Sequence, residues 1–213
     1  MQIPLAPVIH LLHEAPHAVL STHSTQLPGY PYGTAVPLVV DAAQQPWLLI
    51  SALAEHTKNL LADARASLTI VEAGATNVQD AARATLVGRI EPGQPGPALL
   101  RRYLRYQPDA EQYLALDFQF FRMTVERIRF IGGVGRMGWL DATAWQAAHV
   151  LAEDDEQRLL ARAPATASLR LLGVDPFGID YEAAGTRRRK RFDSPLSGEE
   201  ISGLLGDLPP PVA

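Results

Sequence analysis

The sequence predicts an α+β protein that is mainly β: an antiparallel β-barrel with helical insertions over residues 1–140, then a small αβββα unit over residues 141–213. Three observations carry this. About seven apolar runs of strand length precede residue 134, separated by Pro/Gly-rich or polar stretches. The helical segments among them are one to three turns long and irregularly placed, which fits a barrel with insertions better than a βαβ repeat. Seventeen prolines and sixteen glycines are spread along 213 residues, favouring many short elements joined by tight turns over a helical bundle.

In chain order, Ile3, Leu5, Val8, Ile9 and Leu12 fall close to helical spacing over residues 3–14, and Pro16 stops that helix. His17–His23, Gly33–Asp41 and Pro46–Ala52 are apolar, partly β-branched strands. Ala54–Asp63 turns helical, Ser67–Glu72 returns to strand, and Ala82–Glu91 is a further strand with a bulge at Gly88. After the Gly93–Pro97 loop, Ala98–Gln107 and Asp109–Leu116 form a helix pair broken at Pro108, and Phe118–Val125 and Ile128–Val134 are two more strands. In the second unit Thr143–Ala163 reads as one long polar helix ended by Pro164. Short strands follow at Ser168–Val174, Gly178–Ala183 and Arg188–Asp193, with turn signals at Asp175-Pro176 and Ala184-Gly185. Ser197 and Glu200 form a capping box for a last helix, and Pro209–Pro211 is an extended tail. A unit of this size is marginal alone, so it is expected to pack on the barrel or on a partner chain.

Composition narrows the function. A 47% hydrophobic, 20% charged chain is globular rather than disordered. Its formal charge of −4 argues against the broad electropositive face of a nucleic-acid binder. Without cysteine there is no disulfide framework, thiolate chemistry or cysteine-held metal. No apolar run approaches the ~18 residues of a membrane span, and Met1–Pro4 lacks the charged start of a secretory signal, so no membrane partner and a cytoplasmic location are expected. Of the 19 basic residues only Lys58 and Lys190 are lysines.

Three segments stand out. At the junction running from Leu49 to Leu60 a strand ending near Ser51 enters a helix whose first turn carries His56, Thr57 and Lys58; free amides, a hydroxyl and an ammonium there make a phosphate site, against the plainer reading of a solvated surface helix. The Pro/Gly/Tyr stretch Leu27–Gly33 is read as a rigid connection with two tyrosine faces beside it. Ile131–Trp139 carries four glycines, with Arg136 and Trp139 able to meet an anion and a ring system, although its spacing is not that of a dinucleotide fingerprint. His10 and His13 share a helix face with no acidic companion near in sequence and are read as surface residues; no metal site is expected. Arg187–Arg191 is read as a solvated strand or hairpin, with anion binding as the sharper alternative. No catalytic triad or carboxylate pair is supported by spacing.

The segments LSTHSTQLPGYPYGT, ISALAEHTKNLLADARASL and RIRFIGGVGRMGWL together resemble the pyridoxamine 5′-phosphate oxidase-like FMN-binding split barrels, in the branch related to haem-utilisation (HugZ-type) proteins, over about Val8 to Leu140. The run from Gly173 to Asp180 is similar to the strand pair of the small α/β domain that follows the barrel in that branch. The resemblance implies a homodimer of split barrels with FMN at the interface and a small-molecule substrate or electron donor. Thr34, Ala35 and Val36 would lie along the isoalloxazine, Ser51 beside the ribityl chain or phosphate, His56, Thr57 and Lys58 on the phosphate, and Arg136 and Trp139 near the site from the partner chain. It also implies an FMN-dependent oxidoreductase. Thr34 and Val39 stand where the name-giving oxidase has arginine and lysine, so vitamin B6 phosphates are not the expected substrate. A haem-binding protein on the same barrel is the alternative, with His149 as a ligand candidate, and a scaffold with a vestigial pocket is the third reading.

Overall fold

The computed structural model describes residues 3–133, 136–162 and 169–208. The apolar spacing of the first segment gives α1 (Leu5–Glu14), which buries Val8, Ile9, Leu11 and Leu12. Eight strands form one antiparallel sheet: β1 (His17–His23), β2 (Pro31–Pro37), β3 (Val39–Val40), β4 (Pro46–Ser51), β5 (Arg65–Val71), β6 (Ala82–Pro92), β7 (Phe118–Gly132) and β8 (Met137–Asp141). The order is β2-β1-β5-β6-β7-β4-β3, and β8 pairs with the distal half of β7. The sheet curls until β2 approaches β4, giving the split barrel the sequence predicts. Between strands lie α2 (Glu55–Ala62), α3 (Pro97–Tyr106) and a 3-10 turn, Pro108–Tyr113.

Strand alternation assigns each residue a side of the wall. One row of paired residues, Leu20, Leu68, Leu86, Ile128 and Leu140, runs across five strands inside the barrel, every side chain buried. The adjoining row, Ala35, Val19, Thr69, Thr85, Arg129 and Trp139, runs across six strands on the outer face. A one-residue slip would exchange the two rows, so the apolar alternation fixes the register.

Where the elements differ from the sequence reading, packing explains it. The two strands expected between Phe118 and Val134 are the single β7, because the irregularity at Glu126 is absorbed as a bulge opposite Gly88. A Cβ at Gly88 would lie 2.1 Å from the Thr124 carbonyl oxygen, so the bulge expected there requires glycine. The glycine-rich segment contains β8, which no apolar run announced. The long polar helix is two helices, α4 (Ala142–Gln146) and α5 (Glu153–Arg162). Trp145 joins the barrel core while Leu151 and Leu159 join another core, and one straight helix cannot serve both. The proposed end at Ala163–Pro164 and the Pro209–Pro211 tail lie outside the described residues.

The second unit stacks α5 and α6 (Gly198–Leu204) on a sheet of β9 (Leu169–Asp175), β10 (Gly178–Ala183) and β11 (Thr186–Arg191), in order β11-β10-β9. Ser197 and Glu200 exchange both bonds of the capping box at α6. Phe177 enters the barrel core, and Leu172 joins a cluster with Trp47, Leu49, Tyr103 and Tyr106, so the unit is packed on the barrel.

Candidate functional site

The strand–helix junction forms as the sequence indicates. β4 ends at Ser51, and Glu55, His56 and Thr57 make the first turn of α2. The Ser51 hydroxyl donates to Asp117 Oδ2 (3.1 Å) and accepts from the Leu53 N–H (3.2 Å). Thr57 is fully buried, and its hydroxyl donates to the Ser51 carbonyl at 2.6 Å. Asn59, also buried, donates to the Thr22 hydroxyl (3.0 Å) and accepts from Thr25, which ties α2 to the end of β1. Lys58 is exposed, and His56 is half-buried with Nε2 lacking a hydrogen-bond partner among the described residues. Burial lowers the His56 pKa, favouring the neutral ring. The junction therefore offers one ammonium and one unpartnered imidazole nitrogen, while the Ser51 and Thr57 hydroxyls donate within the protein and Glu55 and Asp117 place carboxylates beside them.

The other sequence-predicted residues divide between two places. Val36 is buried, Thr34 half-buried and Ala35 exposed on β2. Arg136 precedes β8, where Trp139 stands on the outer face with the guanidinium carbons of Arg127 and Arg129 at 4.6 and 5.6 Å from its ring centroid. Ser51 pairs with Phe118 and Trp139 with Arg129, so the junction and the tryptophan lie at opposite ends of β7, roughly 35 Å apart along the strand at about 3.3 Å per residue. One chain does not bring them together. On β2, β1, β5 and β6 the outer face holds small uncharged residues, Gly33, Ala35, Val19, Ser21, Ser67, Thr69, Thr85 and Val87, while β7 exposes Arg122, Thr124, Glu126 and Arg127. Val19 and Val87 are left 45% and 38% exposed there, and Trp139 45%.

A second constellation was missed by sequence reasoning, and it corrects two expectations: His10 and His13 are not surface residues, and the arginine run is not simply solvated. His10 and His13 are 7% and 1% exposed, and the Arg189 side chain is fully buried. Arg189 binds Asp175 through one nitrogen (2.9 and 2.8 Å), Asp180 through another (2.7 Å) and His10 Nδ1 through Nε (3.1 Å). His13 lies 2.6 Å from Asp180 Oδ2 and 2.7 Å from Gln44 Oε1, one oxygen at each ring nitrogen, and the Tyr106 hydroxyl donates to Asp180 at 2.5 Å. Arg102 joins through Tyr106 and pairs with buried Glu156, while donating to the Val40 carbonyl at 2.9 Å. Burial alone would raise the Asp180 carboxyl, but Arg189 and His13 outweigh it and hold it well below the usual carboxylate range. Burial pushes the Tyr106 hydroxyl up, keeping it a donor. His13, Asp175 and Asp180 offer metal-type ligand atoms within 4.8 Å of one another. Arg189 already binds both carboxylates, so the cluster is complete as an ion-pair centre joining α1 and α3 to β9–β11.

Residues 9–147 match the CREG β-barrel family. A curated relative, the chloroplastic non-canonical heme oxygenase HOZ of Arabidopsis thaliana, is 34% identical over 135 residues, which are 62% of this chain; the chain spans only 41% of that relative's length. A heme binding protein from Mycobacterium smegmatis has the same fold over 98% of this chain and all of its own, with 24% identity and a TM-score of 0.63. A member of the pyridoxinephosphate oxidase family from Clostridium acetobutylicum shares the barrel over 65% of this chain and 94% of its own, with 16% identity and a TM-score of 0.51. No helix among the described residues is long and apolar enough to cross a membrane.

Proposed function

The chain belongs to the CREG β-barrel family, and from that premise we propose that it is a haem-binding split-barrel protein that works as a homodimer. The observation that carries the reading is the outer sheet face: a wide strip of small uncharged residues ending at Trp139 between Arg127 and Arg129. Haem is a flat apolar macrocycle with two propionates, and such a strip with guanidinium groups at its end matches that chemistry. The same strip suits face-to-face packing of a second copy, since sheets pack through small and β-branched side chains and the exposed valines would be covered. A second copy would also bring another Trp139 and Arg136 toward the junction, which a single chain keeps apart. Supporting relatives are the Arabidopsis heme oxygenase and the mycobacterial heme binding protein. His17, exposed on the outer face of β1, and His149, exposed after α4, are the proposed ligand candidates for the iron.

The test is haem titration followed in the Soret region, with sedimentation velocity on the same samples. A saturable Soret shift that is lost in His17→Ala or His149→Ala supports the reading; a protein that takes up no haem overturns it. Val19→Arg should produce monomers, and a dimer that survives it places the interface elsewhere.

FMN is the second reading, favoured by the unpartnered His56 nitrogen and exposed Lys58 at the start of α2. In that reading Thr34, Ala35 and Val36 would line the ring. When bound, FMN would supply electron transfer, and the chain's part is to hold the phosphate. The committed hydroxyls of Ser51 and Thr57 and the carboxylates of Glu55 and Asp117 place it second. Flavin absorbance on FMN titration that weakens in Lys58→Ala but not in Lys190→Ala would reverse the order.

A further inference from the structure

The two ends of β7 carry opposite charge. From Gln107 to Phe118, leading into β7, the chain has three acids, Asp109, Glu111 and Asp117, and no base; from Arg127 to Trp139 it has three arginines and no acid. Among the described residues those three acids form no ion pair with a cation, and Arg129 and Arg136 form none with a carboxylate; Arg127 pairs with Asp141. Elsewhere on the face the charges offset one another: Arg89 pairs with Glu91, Arg65 with Asp63, and α2 carries both Glu55 and Lys58. Each end also leaves apolar surface open. Residues 111–117 are exposed without interruption, Leu116 by 60%, and Leu53 in the neighbouring turn by 75%. The Ala52 N–H donates to the Asp117 carbonyl (2.8 Å), which holds those two turns together. Tyr113 stacks on Phe118 with ring centroids 4.7 Å apart, and Phe118 packs with Phe120 on the cluster beneath α3, so this tip stands on the outer side of the wall. At the far end Met137 and Trp139 are exposed on β8. Apolar groups left open beside unpaired charge of one sign mark a surface that a complementary one can cover.

Two identical sheets packed face to face have two simple two-fold arrangements. An axis along the strands sets each end of β7 against its own copy, acid on acid and arginine on arginine, and like charges so placed oppose association. An axis across the strands sets the acidic end of one protomer against the basic end of the other, twice in each dimer. We propose that a second copy of this chain docks in the second arrangement, with Asp109, Glu111 and Leu116 of one protomer against the partner's Arg129 and the partner's Trp139. This direction of packing rests on the homodimer proposed above and adds the orientation that the charge distribution selects.

Sedimentation velocity on two charge-reversed proteins tests it: one carries Asp109→Lys with Glu111→Lys, the other Arg129→Glu with Arg136→Glu. Each alone meets like charge at both contacts, so its dimer should be at least about tenfold weaker than wild type. An equimolar mixture should recover the dimer, because a heterodimer restores opposite charge at both contacts, and that recovery also shows that both variants are folded. Arg136 is exposed, so Arg136→Glu alone reads the same contact where Arg129→Glu disturbs β7. The wild-type dimer should weaken as salt rises from about 0.05 to about 0.5 M. Variants that dimerise as wild type does, a mixture no tighter than its components, or a wild-type dimer that tightens with salt overturns the orientation and leaves the dimer standing. A wild type that stays monomeric overturns the dimer and the orientation together.

Discussion

Replacing Arg189 by leucine isolates the part played by the buried ion-pair centre. The wild-type guanidinium is fully buried and makes charge-assisted bonds to Asp175 at 2.8 and 2.9 Å and to Asp180 at 2.7 Å, with a further bond to His10. Leucine fills similar space but leaves two carboxylates, 2% and 0% exposed, with His13, Tyr106 and the Phe177 N–H as their remaining close partners. Removing one partner of a buried ion pair costs about 3–5 kcal/mol, far more than the pair itself contributes relative to an apolar replacement. For a chain of this length that corresponds to a fall in Tm of roughly 6–20 °C. Urea unfolding followed by tryptophan fluorescence reads it, since Trp145 is fully buried in the barrel core. The comparison is Arg65→Leu, whose partner Asp63 is on the surface and whose loss should leave the urea midpoint close to that of wild type. Removing the orphaned charges as well, in Arg189→Leu with Asp175→Leu and Asp180→Leu, should restore part of the loss, because the penalty belongs to uncompensated carboxylates. An Arg189→Leu protein within about 1 kcal/mol of wild type would refute the assignment of this centre as the joint between barrel and second unit.

Three further outcomes follow from the same geometry. Burial, and then Arg189, lowers the His10 pKa from 6.5 to about 4, so the folded state holds the ring neutral where the unfolded chain takes a proton. Its contribution is therefore present above about pH 6.5 and lost as pH falls toward 4, by about 2 kcal/mol after allowance for screening; urea midpoints across that range should slope, and the slope should shrink in His10→Gln. Gly88→Ala puts a methyl 2.1 Å from the Thr124 carbonyl oxygen, and because backbone cannot yield there without opening β6 from β7, a loss of at least about 3 kcal/mol is expected in the same unfolding assay. Tyr106→Phe withdraws one donor from Asp180 while His13 and Arg189 remain, so its cost should be about 1–2 kcal/mol, clearly smaller than that of Arg189→Leu.

Local periodicity made the barrel legible. The row from Leu20 to Leu140 and its outward neighbours alternate because one side of each strand meets the core, and that alternation is written in neighbouring residues. Gly88 and the Ser197–Glu200 box were readable for the same reason, each being a local backbone requirement. The junction at Ser51–Lys58 was legible as a strand entering a helix, but not the engagement of the Ser51 hydroxyl, because its acceptor Asp117 comes from a segment 66 positions away. The buried centre was hidden by the same distance: His13 and Asp180 are separated by 167 positions, and an arginine run reads as solvated when its counter-charges are not beside it. One signal for it did exist. Ala184 and Gly185 both take positive φ, so the turn between β10 and β11 is a two-residue hairpin, and this fixes the pairing outward from Ala183 and Thr186. Counting back along it sets Asp180 opposite Arg189. Asp180 sits within the apolar Gly178–Ala183 run of a central strand, where an acid can be tolerated only with a cation facing it. The hairpin register names that cation, and so distinguishes Arg189 as buried from Arg188 beside it, which the same strand turns toward solvent.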